Sequence, residues 1–173
     1  MGDAHKTEEL KNWRTAMCRF IDDFRALPRD EKSRALEAVR ARALKMRTAK
    51  SLEYPAKSWP ISASLEREEL LWRAYMIDRF NLWTSIDVRD AARAVEHALM
   101  ADYEGSHALF INEALNTLNY DAEVLVSLFF PEITQRKRPF VGGESLVSIG
   151  RAQALIDFEP VYSLHGAEDA ANR

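Results

Sequence analysis

The chain has 173 residues, 47% of them hydrophobic, and its 24 Lys and Arg against 27 Asp and Glu give a formal net charge of −3. This balance fits one folded domain, or one domain with an appendage, and excludes a disordered chain. A single cysteine, Cys18, excludes an intrachain disulfide and a cysteine-based metal cluster. No stretch resembles a signal peptide or a membrane span, so we expect a cytoplasmic protein without a membrane partner.

Residues 7–26 predict a first helix, capped by Thr7 and ended by Pro28. Its apolar residues recur at spacings of three and four: Leu10, Trp13, Met17, Phe20, Ile21 and Phe24. Residues 30–50 predict a second helix with a thinner apolar stripe. The two helices form a hairpin that must bury its apolar faces against the rest of the chain or against a partner. We therefore expect that these helices are the surface for a protein partner or a homo-oligomer.

The first fifty residues are basic, with 13 Lys and Arg against 8 Asp and Glu, whereas the remaining 123 carry 11 and 19. Such a basic helix has the charge to contact nucleic acid. It lacks interleaved aromatic residues and any known reading motif, so nucleic-acid binding is disfavoured. The favoured interpretation is a solvated helix face.

Prolines and serines in residues 51–63 predict a linker, and a third helix follows over 64–80. The predicted organisation is a helical extension and linker over 1–63, a second domain over 64–163, and a flexible tail over 164–173.

From Asn81 onward the pattern alternates between strand-like and helix-like segments. Three short strands are predicted, over 82–86, 108–111 and 145–149, each followed by a helix. Asp87 is placed to cap the first of these helices, with Asp90 three residues later as in a capping box. The predicted fold class is α/β and helix-rich: an N-terminal helical hairpin, then a small sheet with helices.

Four segments in this half carry a specific resemblance. Asn81–Ala94 is similar to "W-x-Y-I/V-D-x-R-D-V-A-x-A", and Gly105–Asn112 to "G-H-x-x-F-x-I-A". Phe129–Ile133 matches "F-P-E/D-V", and Ser145–Pro160 matches "S-L-x-S-I-x-K-A-x-x-L-G-F-E-P". Together they resemble the C-terminal, substrate-side portion of the NAD-dependent epimerase/dehydratase family, the extended short-chain dehydrogenases/reductases.

The resemblance stops short of the family's catalytic apparatus. The family binds its dinucleotide on a glycine-rich turn, and this chain has no glycine between Gly2 and Gly105. The family also uses a Tyr-x-x-x-Lys pair, but no tyrosine here has a lysine four residues later; Tyr75 with Arg79 is nearest. We therefore assign no catalytic, cofactor-binding or metal-binding residue. NAD(P) would bind only if another chain supplied a Rossmann half.

Three residues are candidates for binding a substrate. By the resemblance, Trp83 lies in a pocket-forming signature, and Arg138 stands before Pro139, where nucleotide-sugar members of the family place an arginine that contacts phosphate. Asp87 lies in the first matched segment. The alternatives are core packing for Trp83, a helix cap for Asp87 and a solvated basic loop for Arg138.

Two functions remain open at this stage. The first is a truncated or divergent epimerase/dehydratase-family protein that lacks its own cofactor site and binds a small molecule or acts with a partner chain. The second is a helical interaction or regulatory module, without enzymatic activity, that docks on a partner or associates with itself. The motifs leave open whether the chain is an enzyme.

Overall fold

The structure is a computed structural model that describes residues 3–48, 66–163 and 165. The chain divides into two compact units, Met1–Phe80 and Asn81–Arg173. In the described part of the chain, no helix is both long and apolar enough to cross a membrane.

Two of the predicted boundaries stay predictions. The division between residues 63 and 64 lies outside the described residues, as does the predicted tail over 164–173 except for His165.

The described residues of the first unit are mainly helical, as predicted. Helix α1 spans Asp3–Ala26, α2 spans Arg29–Thr48, and α3 spans Arg67–Arg73 and continues as a single π-helical segment over Ala74–Asp78. The predicted cap at Thr7 is wrong, because α1 begins four residues earlier and continues through that position.

The apolar face of α1 is buried. Trp13, Met17, Phe20, Ile21 and Phe24 are each at most 6% exposed, and the rings of the two phenylalanines stack at 5.7 Å. Burying a side chain of this size is worth about 1.5–3 kcal/mol, so this face contributes strongly to the stability of the unit. The chain itself covers the stripe, and α1 therefore needs no partner for that purpose.

The π-helical segment carries a buried acid, Asp78. The Asp78 side chain is 7% exposed, and its Oδ2 has no hydrogen-bond partner in the part of the chain that is described. Burial raises the pKa of Asp78 to about 7, and the nearby positive charge of Arg73, which is also buried, opposes that rise. Buried carboxyl groups behave in this way because the ionised form loses its hydration.

The raised pKa of Asp78 predicts that the stability of the chain depends on pH. The folded state holds a proton on Asp78 that the unfolded chain releases above pH ~4, so the free energy of unfolding falls as pH rises from ~4 to ~7. Asp78→Asn removes this slope and is expected to raise stability at pH 8 by at least about 1 kcal/mol. Urea unfolding across this pH range checks the result. The exposed Asp23→Asn control should keep the wild-type slope, and a slope unchanged in Asp78→Asn would refute the assignment.

Within its described residues, the second unit contains three helices, α4 over Val88–Met100, α5 over Ala122–Phe129 and α6 over Gly150–Ile156. The predicted cap of α4 is confirmed, and α5 has a cap of the same kind. A carboxylate oxygen of Asp87 accepts the N–H of Arg89 at 2.8 Å, and one of Asp121 accepts the N–H of Val124 at 3.1 Å. Each bond satisfies an amide that a helix start leaves without a partner.

The predicted small sheet is wrong. None of the segments 82–86, 108–111 and 145–149 is a strand, and among the described residues only one antiparallel bridge occurs, between Leu115 and Glu144. The fold is therefore helix-rich without a sheet in the described part, which corrects the α/β class. The segment 108–111 is not a continuously buried strand either, since Phe110 within it is 68% exposed.

Backbone conformation explains part of this error. Leu82 and Trp83 have φ angles of 54° and 49°, in the left-handed region that an extended strand does not contain. The Trp83 carbonyl still accepts the N–H of Thr117 at 2.8 Å, and the Ser85 carbonyl accepts the N–H of Glu113 at 2.8 Å. These isolated bonds join the segments without building a ladder.

A buried asparagine, Asn116, joins two segments of the second unit. The Asn116 side chain is fully buried, and its Nδ2 donates to the carbonyls of Tyr120 and Gly143 at 2.8 and 2.9 Å. Its Oδ1 accepts the N–H groups of Leu118 and Tyr120, both at 3.2 Å. The side chain thus satisfies backbone groups from two segments, as buried polar groups must be satisfied.

Helices α4 and α6 pack through a small apolar core. Its buried members are Ala94, Ala152, Ile156 and Phe158. His97, on the same helix as Ala94, lies with Nδ1 at 3.0 Å from the Ile156 carbonyl oxygen. This histidine therefore links the two helices.

Asp90 anchors the chain beyond α6. It is fully buried, and its Oδ2 accepts the N–H groups of Val161 and Tyr162 at 2.9 and 2.8 Å. Its Oδ1 accepts from Arg93 at 2.9 Å. The residue predicted as part of a local cap instead fixes a segment about seventy positions away.

Candidate functional site

The second unit contains a pocket of about 630 Å³ at the end of α5, the loop between α5 and α6, and the start of α6. Its walls are mainly apolar, and its apolar members include Val126, Phe130, Ile133, Phe140, Leu146, Val147 and Ile149. Its polar members are Gln135, Arg136, Lys137, Arg138, Glu144, Ser145, Ser148 and Gln153. This volume and this mixture of walls are typical of sites for small molecules.

A bidentate ion pair closes the rim of the pocket. Arg138 Nη1 and Nη2 donate to the two carboxylate oxygens of Glu144 at 2.7 and 2.8 Å. The Val141 N–H also donates to Glu144, at 2.6 Å. The hydrogen bond from Arg138 lowers the pKa of Glu144, which keeps this carboxylate ionised at neutral pH.

A second ion pair holds the other side of the loop. Glu123 on α5 accepts from Arg136 and from the Phe140 N–H, the latter at 2.8 Å. The Phe140 amide, followed by Arg136, lowers the pKa of Glu123. Lys137 lies between the two paired arginines, is exposed, and forms no ion pair with any described residue. The rim therefore carries one cation without an acidic partner.

The two glycines of the loop fix its path against α5. The Gly142 carbonyl accepts the N–H of Ala122 at 2.8 Å, and Gly142 itself has φ 52°. A Cβ on Gly143 would lie 2.3 Å from Asn119 Oδ1 and 3.0 Å from the Asn119 backbone carbonyl carbon, so any other residue would have to displace the segment before α5. These positions require glycine because the loop backbone turns left-handed and then passes directly over the segment before α5.

Of the three predicted binding residues, the structure places only Arg138 at the pocket. Trp83 is 1% exposed, with its ring centroid 4.9 Å from that of Phe129 and 6.2 Å from that of Phe130. Its indole N–H has no hydrogen-bond partner within the described part of the chain. This is the packing geometry of a core residue, and a role of Trp83 in binding stays a prediction.

Asp87 also lies away from the pocket. Besides capping α4, its two oxygens accept from the Arg89 guanidinium, each at 2.9 Å, and that guanidinium stacks over the Tyr162 ring at 3.7 Å. The hydrogen bonds from the Arg89 side chain, and then from its backbone, lower the pKa of Asp87 to about 2.

Removal of this cap is expected to cost stability only when the carboxylate is ionised. Asp87→Ala should lower the free energy of unfolding by about 1 kcal/mol at pH 7, the usual value for an N-cap. Because the folded pKa lies below the unfolded one, the difference should be present above pH ~4 and disappear as pH falls towards ~2. Asp87→Asn keeps a capping oxygen and should lose less. Thermal unfolding at several pH values measures the differences, and equal losses for both variants would argue against the cap.

The pocket offers binding groups but no acid–base pair. Its only carboxylate among the described lining residues is Glu144, and a carboxyl group with a lowered pKa is a weak general base near neutral pH. Elsewhere, the Arg79 guanidinium stacks over the Tyr75 ring at 4.9 Å, an arrangement that holds a cation rather than relays a proton. No cluster of three potential metal-ligating side chains occurs among the described residues.

Comparisons with known protein families, curated proteins and solved structures found no match for this chain. The resemblance to the epimerase/dehydratase family therefore rests on its four motif segments alone.

The pairing of Arg138 with Glu144 was not predicted from the sequence. The sequence motif singled out the arginine before a proline, but Glu144 lies six residues further on and meets it only because the loop folds back over the glycine pair. Asn112 was also missed: it is buried and donates to the Glu113 and Val147 carbonyls at 2.8 and 3.2 Å. An asparagine directly after an apolar run was the available signal.

Proposed function

We propose that the second unit binds a phosphate-bearing small molecule of the nucleoside diphosphate class in this pocket and carries out no redox chemistry of its own. The observation that carries the proposal is a rim of three cations over largely apolar walls: Arg136 and Arg138, each paired with a glutamate, and Lys137 between them. Phosphate is recognised by arginine forks and lysine ammonium groups, and a base or sugar ring is held by apolar walls.

Arg138 can exchange its present partner, Glu144, for a phosphate group of a ligand. The Arg138 side chain is 63% exposed, so its pair with Glu144 lies at the solvent boundary. Exposed ion pairs contribute little net stability, because solvent screens them and the free ions are well hydrated. A diphosphate brings more charge and more acceptor oxygens than one carboxylate and is expected to displace Glu144 from the guanidinium.

The resemblance supports the same class of ligand. Arg138 stands before Pro139, where nucleotide-sugar members of the family place a phosphate-contacting arginine. The dinucleotide site of that family does not fit this chain, since no glycine-rich turn exists between Gly2 and Gly105. We therefore propose binding without hydride transfer, or action together with a partner chain that brings its own cofactor domain.

The alternative, an interaction module that docks through its N-terminal helices, has less support. The apolar face of α1 is already buried, as described above. What α2 exposes is mostly charged, apart from Leu44, which is 63% exposed. This alternative stays a prediction.

Titration of the full chain with uridine diphosphate by isothermal calorimetry tests the proposal. We expect binding that uridine alone does not reproduce, and a loss of at least about tenfold in affinity for Arg138→Ala, the usual effect of removing a charged hydrogen-bond partner. Glu144→Gln should bind more tightly, because it removes the carboxylate that competes for the guanidinium.

The matched control is Arg34→Ala, which removes an exposed arginine that pairs with Asp30 on α2. Its affinity should equal that of the wild type. Equal affinity of uridine and uridine diphosphate, or an unchanged affinity in Arg138→Ala, would exclude phosphate recognition at this rim.

A further inference from the structure

Helix α4 exposes an apolar stripe on the side opposite to its packed face. Val88, Val95 and Leu99 are 79%, 61% and 80% exposed, and Ala92 between them is exposed as well. We refer to these four residues as the α4 stripe. The opposite side carries the buried Asp90 and Ala94. An exposed row of large apolar side chains on one helix face is typical of a protein interaction surface.

The spacing of the stripe is that of a coiled-coil seam. Its members follow at intervals of four, three and four residues. In chain order they therefore occupy the d, a, d and a positions of a heptad. Side chains at these positions interdigitate with the same positions of a second helix. The occupant that fits this stripe is therefore another helix with the same spacing.

Charges flank the stripe on one side only. Arg89 and Glu96, seven residues apart, occupy the two e positions, and the other flank holds the half-buried Ala91 and Ala98. In an antiparallel pair of helices, e positions face e positions, so Arg89 meets Glu96 of the partner subunit, and the reverse contact forms as well. A parallel pair would place these charges against alanines. The charge pattern thus matches a second copy of the helix in the antiparallel orientation.

We propose that the chain forms a symmetric dimer through antiparallel pairing of two α4 helices. The two-fold axis lies between Ala92 and Val95, so that Val88 packs beside the partner's Leu99 and Ala92 beside the partner's Val95. Each residue contact occurs twice, as an interface with two-fold symmetry requires.

The two charged residues are available for this contact. Arg89 binds Asp87 through Nε and Nη2, and its Nη1 forms no hydrogen bond to a described residue. Glu96 is exposed and has no ion pair in the part of the chain that is described. The helix has 13 residues, about 20 Å, so the interface is small. A small interface predicts a weak dimer with a dissociation constant on the order of micromolar.

Sedimentation equilibrium of the full chain over about 1–500 µM, which brackets that affinity, tests the dimer. The wild type should move from the mass of one chain to twice that mass. Val95→Glu should raise the dissociation constant by at least about 100-fold, because it places like charges in the seam. Val141→Glu makes the same change at a residue that is 73% exposed elsewhere in the unit and should dimerise as the wild type does.

A charge reversal tests the orientation. Glu96→Arg should weaken the dimer by placing two arginines opposite each other, and Glu96→Gln, which removes the negative charge without adding a positive one, should weaken it less. Thermal unfolding of each variant confirms that the fold is retained. The proposal is overturned by a wild type that stays monomeric throughout, by a Val95→Glu variant that dimerises normally, or by a Glu96→Arg variant that dimerises as tightly as the wild type.

Discussion

Replacing Trp83 by alanine is expected to lower the free energy of unfolding by about 3–5 kcal/mol, the range for truncating a large buried aromatic side chain. The indole is 1% exposed and contacts the rings of Phe129 and Phe130, which are themselves buried. Removing it leaves a cavity that helix α5 cannot fill by a small shift. Urea unfolding followed by circular dichroism measures the loss.

Two variants sharpen this prediction. Trp83→Phe keeps an aromatic ring against α5 and removes an indole N–H that has no partner among the described residues, so it should cost less than half as much. Phe110→Ala removes a ring that is 68% exposed and should change stability by less than about 0.5 kcal/mol. A Trp83→Ala cost below about 1 kcal/mol would mean that the indole is not a core residue, and would reopen its role as a binding residue.

Asp90→Ala is expected to destabilise the chain by about 2–4 kcal/mol. The substitution leaves the backbone N–H groups of Val161 and Tyr162 without their shared acceptor and removes the ion pair with Arg93. Both hydrogen bonds are partly buried, so water can replace the lost acceptor only in part. Chemical unfolding gives the total, and hydrogen exchange should show faster exchange at both amides.

The amide variant separates charge from shape at this position. Asp90→Asn retains one oxygen and is expected to fall between the wild type and Asp90→Ala. Asp102→Ala removes an exposed acid just beyond α4 and serves as the control, with little expected change. Unchanged exchange at Val161 and Tyr162 in Asp90→Ala would show that Asp90 does not anchor this segment.

The helices were predictable because their signals are local. Apolar spacing in α1 and the acidic caps of α4 and α5 lie within a few residues of the structure that they specify. The π-helical segment after α3 was not predictable, since no local pattern distinguishes it from the continuing helix.

The absence of the predicted sheet from the described part of the chain could not be foreseen, because whether a segment pairs as a strand depends on partners that lie far away in sequence. The segment 82–86 has β-forming residues, yet Leu82 and Trp83 adopt left-handed φ angles, and the Trp83 and Ser85 carbonyls accept isolated hydrogen bonds from Thr117 and Glu113. Tertiary hydrogen bonds outweighed local strand propensity here. Asp90 shows the same effect, since its partners lie 71 and 72 residues further along the chain.

The candidate site was predictable only at Arg138, which a motif identified. Glu144 became its partner through a loop that reverses at Gly142 and Gly143, and that reversal depends on a close approach to Asn119. The sequence shows the glycine pair but not the segment against which it packs. The pocket as a whole therefore emerged only from the three-dimensional structure.

Localising the ligand tests the central claim most directly. Amide correlation spectra of the full ¹⁵N-labelled chain, titrated with uridine diphosphate, should show saturable shifts concentrated at the pocket, at residues such as Arg138, Val147 and Gly150. Amides of α1 and α2 should not move. No shift at all, or shifts centred outside the loop between α5 and α6, would contradict the assignment of this pocket as a phosphate-ligand site.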